Sequence, residues 1–225
     1  MQAGKVAVQD ASPTPLPETL LAGTIADYLD QLASAAPAPG GGSVAALTAA
    51  QGAALVGMVL SLTIGRPRFQ EHDAELRAIQ AEADQLRAEC AALIDRDATV
   101  LRALIATYKL PRATPEEKAA RDVALQERTH EASEVPLAGA RAAAAIVPLC
   151  RRLLPLGNPT AVSDIGVAAA CALAAFRSAE LNVLINLGTL KDEGYVAAAR
   201  RELADLGAGI DGAIAEILQA VCERL

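Results

Sequence analysis

The sequence predicts an all-α protein, a bundle of about seven helices. Three observations lead there. No segment alternates apolar and polar residues with period two, whereas several stretches repeat apolar residues at intervals of three and four, the spacing of one helix face. The chain is 52% hydrophobic with only 2% aromatics and no Trp, so its core is made of Ala, Leu, Val and Ile, side chains that suit helices packed closely together. Short clusters such as Gly65 with Pro67, and Pro155 with Gly157 and Pro159, break the chain between the periodic stretches. At 225 residues there is room for one sizeable domain with its own core.

Residues 1–23, with Pro13, Pro15 and Pro17, read as a flexible arm, and residues 24–225 as one helical domain. The first helix starts at Thr24, where Thr24 and Asp27 make a capping-box pair and Ile25, Tyr28, Leu29 and Leu32 share a face. It ends before Pro37. The turn Pro37-Ala38-Pro39-Gly40-Gly41-Gly42-Ser43 then opens into an uncharged helix that runs to about Ile64 and must be buried. There the glycines allow unusual backbone conformations and close approach of a ligand, Ser43 caps the first turn, and the free N–H groups favour an anion or a polar ligand edge. The turn lacks the Lys-Ser/Thr ending of a P-loop and a preceding strand, which argues against nucleotide binding.

From about Asp73 to Tyr108 one long helix carries Leu76, Ile79, Ala83, Leu86, Cys90, Leu93, Val100 and Leu104 along its seam. Asp97 falls on the same stripe, where a carboxylate must find a partner or shift its pKa, so it is a functional candidate. Asp95 points elsewhere and is read as solvated. Thr114-Pro115-Glu116-Glu117 caps a polar helix that runs to about Val135 and carries His130, read, like His72, as a surface histidine. Pro136 opens an Ala-rich helix through Leu154, bent at Pro148. A further helix from about Ala161 has Asp164 in its first turn, where an acid complements the helix dipole, and Ser178, Asn182 and Asn186 as a polar stripe. Those amides need partners, either on neighbouring helices or on a ligand. Asp192 starts the final helix, whose seam runs from Val196 through Leu203, Ile210 and Ile217 to Val221.

Charge and composition exclude several classes. A net charge of −7 and a pI near 4.9 argue against nucleic-acid binding, which needs a basic surface. Cys90, Cys150, Cys171 and Cys222 stand far apart in apolar helical contexts and read as small buried hydrophobes in a reducing compartment. The N-terminus lacks a signal-peptide pattern, and the uncharged run from Val44 to Ile64 is Ala- and Gly-rich with no aromatic belt, so the expectation is a cytoplasmic protein without a membrane span. Two helices without charge along them suggest that a homodimer completes their burial.

Several stretches occur in a specific order: Leu32-Ala33-Ser34 through Pro39-Gly40-Gly41-Gly42-Ser43, Leu62-Thr63-Ile64-Gly65, Asn158-Pro159-Thr160-Ala161-Val162-Ser163-Asp164-Ile165-Gly166, and Leu181-Asn182-Val183-Leu184-Ile185-Asn186-Leu187. With Leu110-Pro111 and Thr114-Pro115-Glu116-Glu117-Lys118, they resemble the cyclodeaminase/cyclohydrolase family of tetrahydrofolate enzymes over roughly Thr24 to the C-terminus. Two departures stand out: Glu134-Val135-Pro136-Leu137 replaces the usual Asp-Val-Pro-Leu, and Arg66-Pro67-Arg68 replaces a lysine-rich turn.

The resemblance implies an all-helical homodimer without a metal, needing no cofactor beyond a tetrahydrofolate substrate with or without a polyglutamate tail. Its expected reaction is at the N5–C–N10 bridge: hydrolysis by a methenyltetrahydrofolate cyclohydrolase, or ammonia-releasing closure by a formiminotetrahydrofolate cyclodeaminase. No formiminotransferase segment lies within the chain, so the first is expected ahead of the second. A helical folate-binding scaffold without turnover is the alternative from another class. The chemistry requires a proton-exchanging group and negative charge beside the cationic bridge, roles assigned to Asp97 and Asp164. Asn158, Asn182 and Asn186 are assigned to the pterin edge, and Gly40, Gly41, Gly42, Ser43, Arg66, Arg68 and Lys191 to the glutamate carboxylates. Asp164 and Asn182 stand about 27 Å apart on a straight helix, so one site can use both only between subunits or across a broken helix.

Overall fold

A computed structural model describes residues 19–225. The described residues form seven α-helices, and most of their boundaries follow from local chemistry: α1 (Ile25–Leu32), α2 (Gly41–Ser61), α3 (Asp73–Tyr108), α4 (Pro115–Leu153), α5 (Val162–Leu187), α6 (Glu193–Gly207) and α7 (Ile210–Cys222). Residues 1–18 of the N-terminal arm lie outside the described residues. The last stretch of the arm is docked: Leu20 is buried, and its N–H donates to Asp95 Oδ1 on α3 at 2.5 Å. Asp95 therefore anchors the approach to α1 and is not the solvated acid that the sequence suggests.

The capping boxes at Thr24/Asp27 and Thr114/Glu117 both form, and α3 spans the residues expected of it. The uncharged stretch folds as α2, but only half of its apolar window is buried. The rest of α2, including Met58, faces outward. Thr24 starts α1 as expected, yet Ile25 and Leu29 are exposed while Tyr28 is buried, so the apolar face of that helix divides between core and surface.

Two segmentations differ from the expectation. Pro136 does not start a helix: α4 runs through both Pro136 and Pro148. A proline removes the N–H that would bond the carbonyl four residues back, here Ala132, and that carbonyl is satisfied instead by Asn186 Nδ2 from α5 at 2.8 Å. Conversely, the final helix is two. Gly209 adopts φ of 75°, a left-handed conformation that favours glycine, and the chain turns there between α6 and α7.

Helices α2, α3, α4 and α5 form the central bundle, with α6 and α7 packed on α4 and α5. Small side chains make that packing close: Ala49, Ala53, Ala140, Ala143, Ala168 and Ala172 are all buried in the core, around Phe176. Bidentate pairing of Arg141 with Glu202 ties α6 to α4, and Arg152 reaches Glu75 and Glu82 on α3. Among the cysteines Cys90 and Cys150 are buried as expected; Cys171 is half-buried, and Cys222, the last residue of α7, is exposed.

Candidate active site

The first turn of α2 lies between a carboxylate on α3 and an amide on α5, and the glycines make this possible. A Cβ on Gly42 would run into the Asp97 carboxylate, and one on Gly41 would stand 3.2 Å from Asn182 Nδ2. Neither glycine has a positive φ. They serve close approach by the protein's own side chains, and their conformational freedom is not used.

Ser43 does not cap α2; Gly40 does, without a side-chain bond. The Ser43 hydroxyl instead reaches α3, within hydrogen-bond distance of Asp97 Oδ2 at 3.0 Å and the Ile94 carbonyl at 3.1 Å. Burial pushes the Asp97 carboxyl above its ordinary pKa, while the Ser43 hydroxyl and backbone N–H oppose the rise. The anion that this helix start favours is thus supplied from within the chain, by Asp97.

Asp97 opens onto a cleft of about 230 Å³ lined by Gly40, Gly41, Gly42, Asn182 and Asn186, with apolar walls from α3, α4 and α5 that include Leu104, Val135 and Ile185. The Asn182 amide donates to the Ser178 carbonyl at 2.8 Å, and the Asn186 amide donates to both Ala132 O and Asn182 O. Asn186 has both N–H groups engaged and keeps only its carbonyl oxygen for a ligand, while Asn182 retains one N–H and its carbonyl oxygen.

The other assigned residues lie elsewhere in the chain. Helix α5 is unbroken from Val162 to Leu187, so Asp164 stays about 27 Å from Asn182 by helical rise. Arg66 and Arg68 follow the C-terminal end of α2, about 30 Å along that helix from Gly41. Arg66 borders a separate open recess of about 470 Å³ with Gly65, Gln70 and Asp73. Asn158 is occupied locally, bonding the Leu62 carbonyl and capping the short turn at Thr160. Lys191 is exposed in the α5–α6 connection, with its backbone N–H held by Gln126 at 2.7 Å, and it does not line the cleft. A single chain therefore gathers Asp97, the glycine turn, Ser43, Asn182 and Asn186, and leaves Asp164, Asn158, Arg66 and Arg68 at the opposite end.

Pro136 and the Ala132 carbonyl were missing from the expected site. A proline inside a helical pattern is the available signal, but by itself it reads as a helix boundary. His130 is half-buried and stacks on Tyr195, with ring centroids 4.0 Å apart.

The model of the formiminotransferase-cyclodeaminase family matches residues 24–205. The chain belongs to this family. Among individual family relatives, methenyltetrahydrofolate cyclohydrolase of Methylorubrum extorquens is 41% identical over 183 residues, covering 81% of this chain and 88% of that protein. Formimidoyltransferase-cyclodeaminase of Sus scrofa is 38% identical over 84% of this chain, which spans only 35% of the pig protein. The crystal structure of formiminotetrahydrofolate cyclodeaminase from Thermotoga maritima superposes with a TM-score of 0.79 at 26% identity, covering 89% of this chain and 96% of that one. The all-helical architecture is thus shared with a solved formiminotransferase-cyclodeaminase family structure.

Proposed function

We propose that this chain is a methenyltetrahydrofolate cyclohydrolase, converting 5,10-methenyltetrahydrofolate and water to 10-formyltetrahydrofolate. The likeness to the Methylorubrum extorquens cyclohydrolase along 88% of that protein supports the activity. The single structural observation that carries the mechanism is Asp97, a half-buried carboxylate with raised pKa on the wall of a mostly apolar cleft.

The substrate bridge is a cation, and its charge next to Asp97 favours the ionised carboxylate. Asp97 accepts a proton from water as the water oxygen bonds to the bridge carbon, which leaves a neutral carbinolamine. The same carboxyl then delivers that proton to N5 as the C–N5 bond breaks, while the hydroxyl proton departs and the C=O forms on N10. One water is consumed and one proton released. A carboxyl whose pKa is raised by burial suits both transfers better than a solvated one. The Asn182 and Asn186 carbonyl oxygens are acceptors matched to the N–H donors of a pterin edge. No metal and no cofactor beyond the folate enters this scheme.

The second reading, a formiminotetrahydrofolate cyclodeaminase, has its own support in the Sus scrofa and Thermotoga maritima relatives, and the same carboxyl would protonate the departing ammonia. Absorbance decides between them. Loss of the 5,10-methenyltetrahydrofolate signal on adding the purified protein marks the cyclohydrolase; appearance of that signal from 5-formiminotetrahydrofolate with ammonia release marks the cyclodeaminase. Silence in both assays leaves a folate-binding scaffold.

We propose further that the chain acts in the cytoplasm and as a homodimer. Leu181 and Ile185 on α5 are 68% and 72% exposed beside the cleft, an apolar face that a second copy would cover. For Asp164, Asn158, Arg66 and Arg68 to serve the same reaction, and for the two arginines to receive a glutamate tail, that second copy must bring them to the Asp97 cleft.

A further inference from the structure

Tyr28 is only 8% exposed, and its hydroxyl is fully covered without a hydrogen-bond partner. On the same face of α1, three residues on, the side-chain carbonyl oxygen of Gln31 is likewise covered and unpartnered. Burying a hydroxyl with no partner is destabilising, and a tyrosine that merely filled space would be better replaced by phenylalanine. Its surroundings point to the cleft. Tyr28 lines a small recess with Leu20, Leu47 and Ile94, and it belongs to one buried cluster with Ile94 and Ala98, which flank Asp97 on α3, and with Ala38 and Ala46, which flank the glycine turn. Val100 and Leu101 lie against that cluster and also line the cleft. Burial raises the pKa of the phenol, and the negative charge of Asp97 raises it further. Neighbouring acids are occupied elsewhere, Asp27 by Thr24 and Asp95 by Leu20.

We propose that Tyr28 is a positioning residue of the Asp97 site, its buried phenol O–H serving the carboxylate as a second side-chain donor beside the Ser43 hydroxyl. The phenol is not within hydrogen-bond distance of the carboxylate in this structure, and on this proposal the two close to that distance when substrate binds. The donor stabilises the ionised carboxylate and fixes the oxygen that faces the substrate. Tyr28 thereby offsets part of the desolvation that raises Asp97 and keeps the group titrating in a usable range.

This inference rests on the proposed function for its kinetic consequence, but it has a readout that needs no turnover. In Tyr28→Phe, kcat for the methenyl substrate should fall about tenfold with KM little changed, the loss expected of one hydrogen bond to a charged group. The acid limb of the pH–rate profile should move upwards by about one unit, because loss of a donor to the charged form raises the carboxyl pKa. Carboxyl-carbon NMR titration of Asp97 in the wild type and in Tyr28→Phe, with Asp97→Asn to assign the signal, should show the same upward movement. A Tyr28→Phe protein with wild-type kcat, an unmoved profile and an Asp97 titration superposable on the wild type would overturn the assignment and leave Tyr28 as packing. Failure of the wild type to turn over any bridged folate would sink the proposed function, and the NMR comparison would still decide Tyr28.

Discussion

Asn186 on α5 donates to the Ala132 carbonyl on α4 at 2.8 Å, and Pro136 is the reason that this carbonyl is free. The pair couples two helices at the wall of the cleft, and it turns an apparent helix breaker into part of the site.

Asn186→Ala should leave the Ala132 carbonyl unpaired and cost about 1–3 kcal/mol of stability. Pro136→Ala restores a backbone N–H for that carbonyl, so in its background the Asn186→Ala cost should shrink. Urea unfolding of the four proteins in the cycle measures the difference. Equal costs in both backgrounds would refute the link.

Gly42 and Gly41 should differ sharply when each is changed to alanine. The added methyl at Gly42 meets the Asp97 carboxylate and at Gly41 the more yielding Asn182 amide. Gly42→Ala is therefore expected to lose at least about 100-fold in kcat, the scale of losing a proton-transfer group. Gly41→Ala should keep most of its kcat. Steady-state kinetics on both variants, with circular dichroism to confirm folding, tests the ordering.

Asp97→Asn should abolish proton transfer, lowering kcat by about 10²–10⁴-fold. Stability should move the other way. The native carboxyl binds its proton more tightly than an unfolded one, with its ordinary value of 3.8. The contribution of Asp97 to stability is therefore greatest below that value and is lost as pH rises through the raised native pKa. Unfolding free energies of wild type and variant should diverge in favour of the variant as pH climbs from about 4. A parallel pair of curves would contradict the burial of this charge.

Asp164→Asn tests whether a second subunit completes the site. Mixed with Asp97→Asn protein and allowed to exchange subunits, it should recover activity that neither variant has alone, because some heterodimers then hold one intact site. Full activity of Asp164→Asn by itself would show that this acid only complements the dipole of α5.

Much of the fold was legible in local patterns. Two capping boxes fixed the starts of α1 and α4, the three-and-four repeat fixed α3 residue for residue, and an Ala-rich composition foretold close helix packing. Two helix boundaries depart from the local pattern, each for a physical reason. A proline is a breaker only when its orphaned carbonyl finds no other donor, and Asn186 supplies one from 54 residues away. The turn at Gly209 depends on a left-handed φ, which an isolated glycine permits but does not demand.

For the site, periodicity by itself put Asp97 on a buried stripe, and the order of the motifs pointed to bridged folate chemistry. Side-chain spacing along one helix could go no further, since it carries no information on which ends of different helices meet. Packing of α2 between α3 and α5 decided that Gly42 would face Asp97, that Gly41 would face Asn182, and that the helix-start donors would be used within the chain. The same packing set Asp164, Arg66 and Arg68 apart from the cleft, because α2 and α5 are straight rods whose ends stand about 30 Å and about 38 Å apart by helical rise.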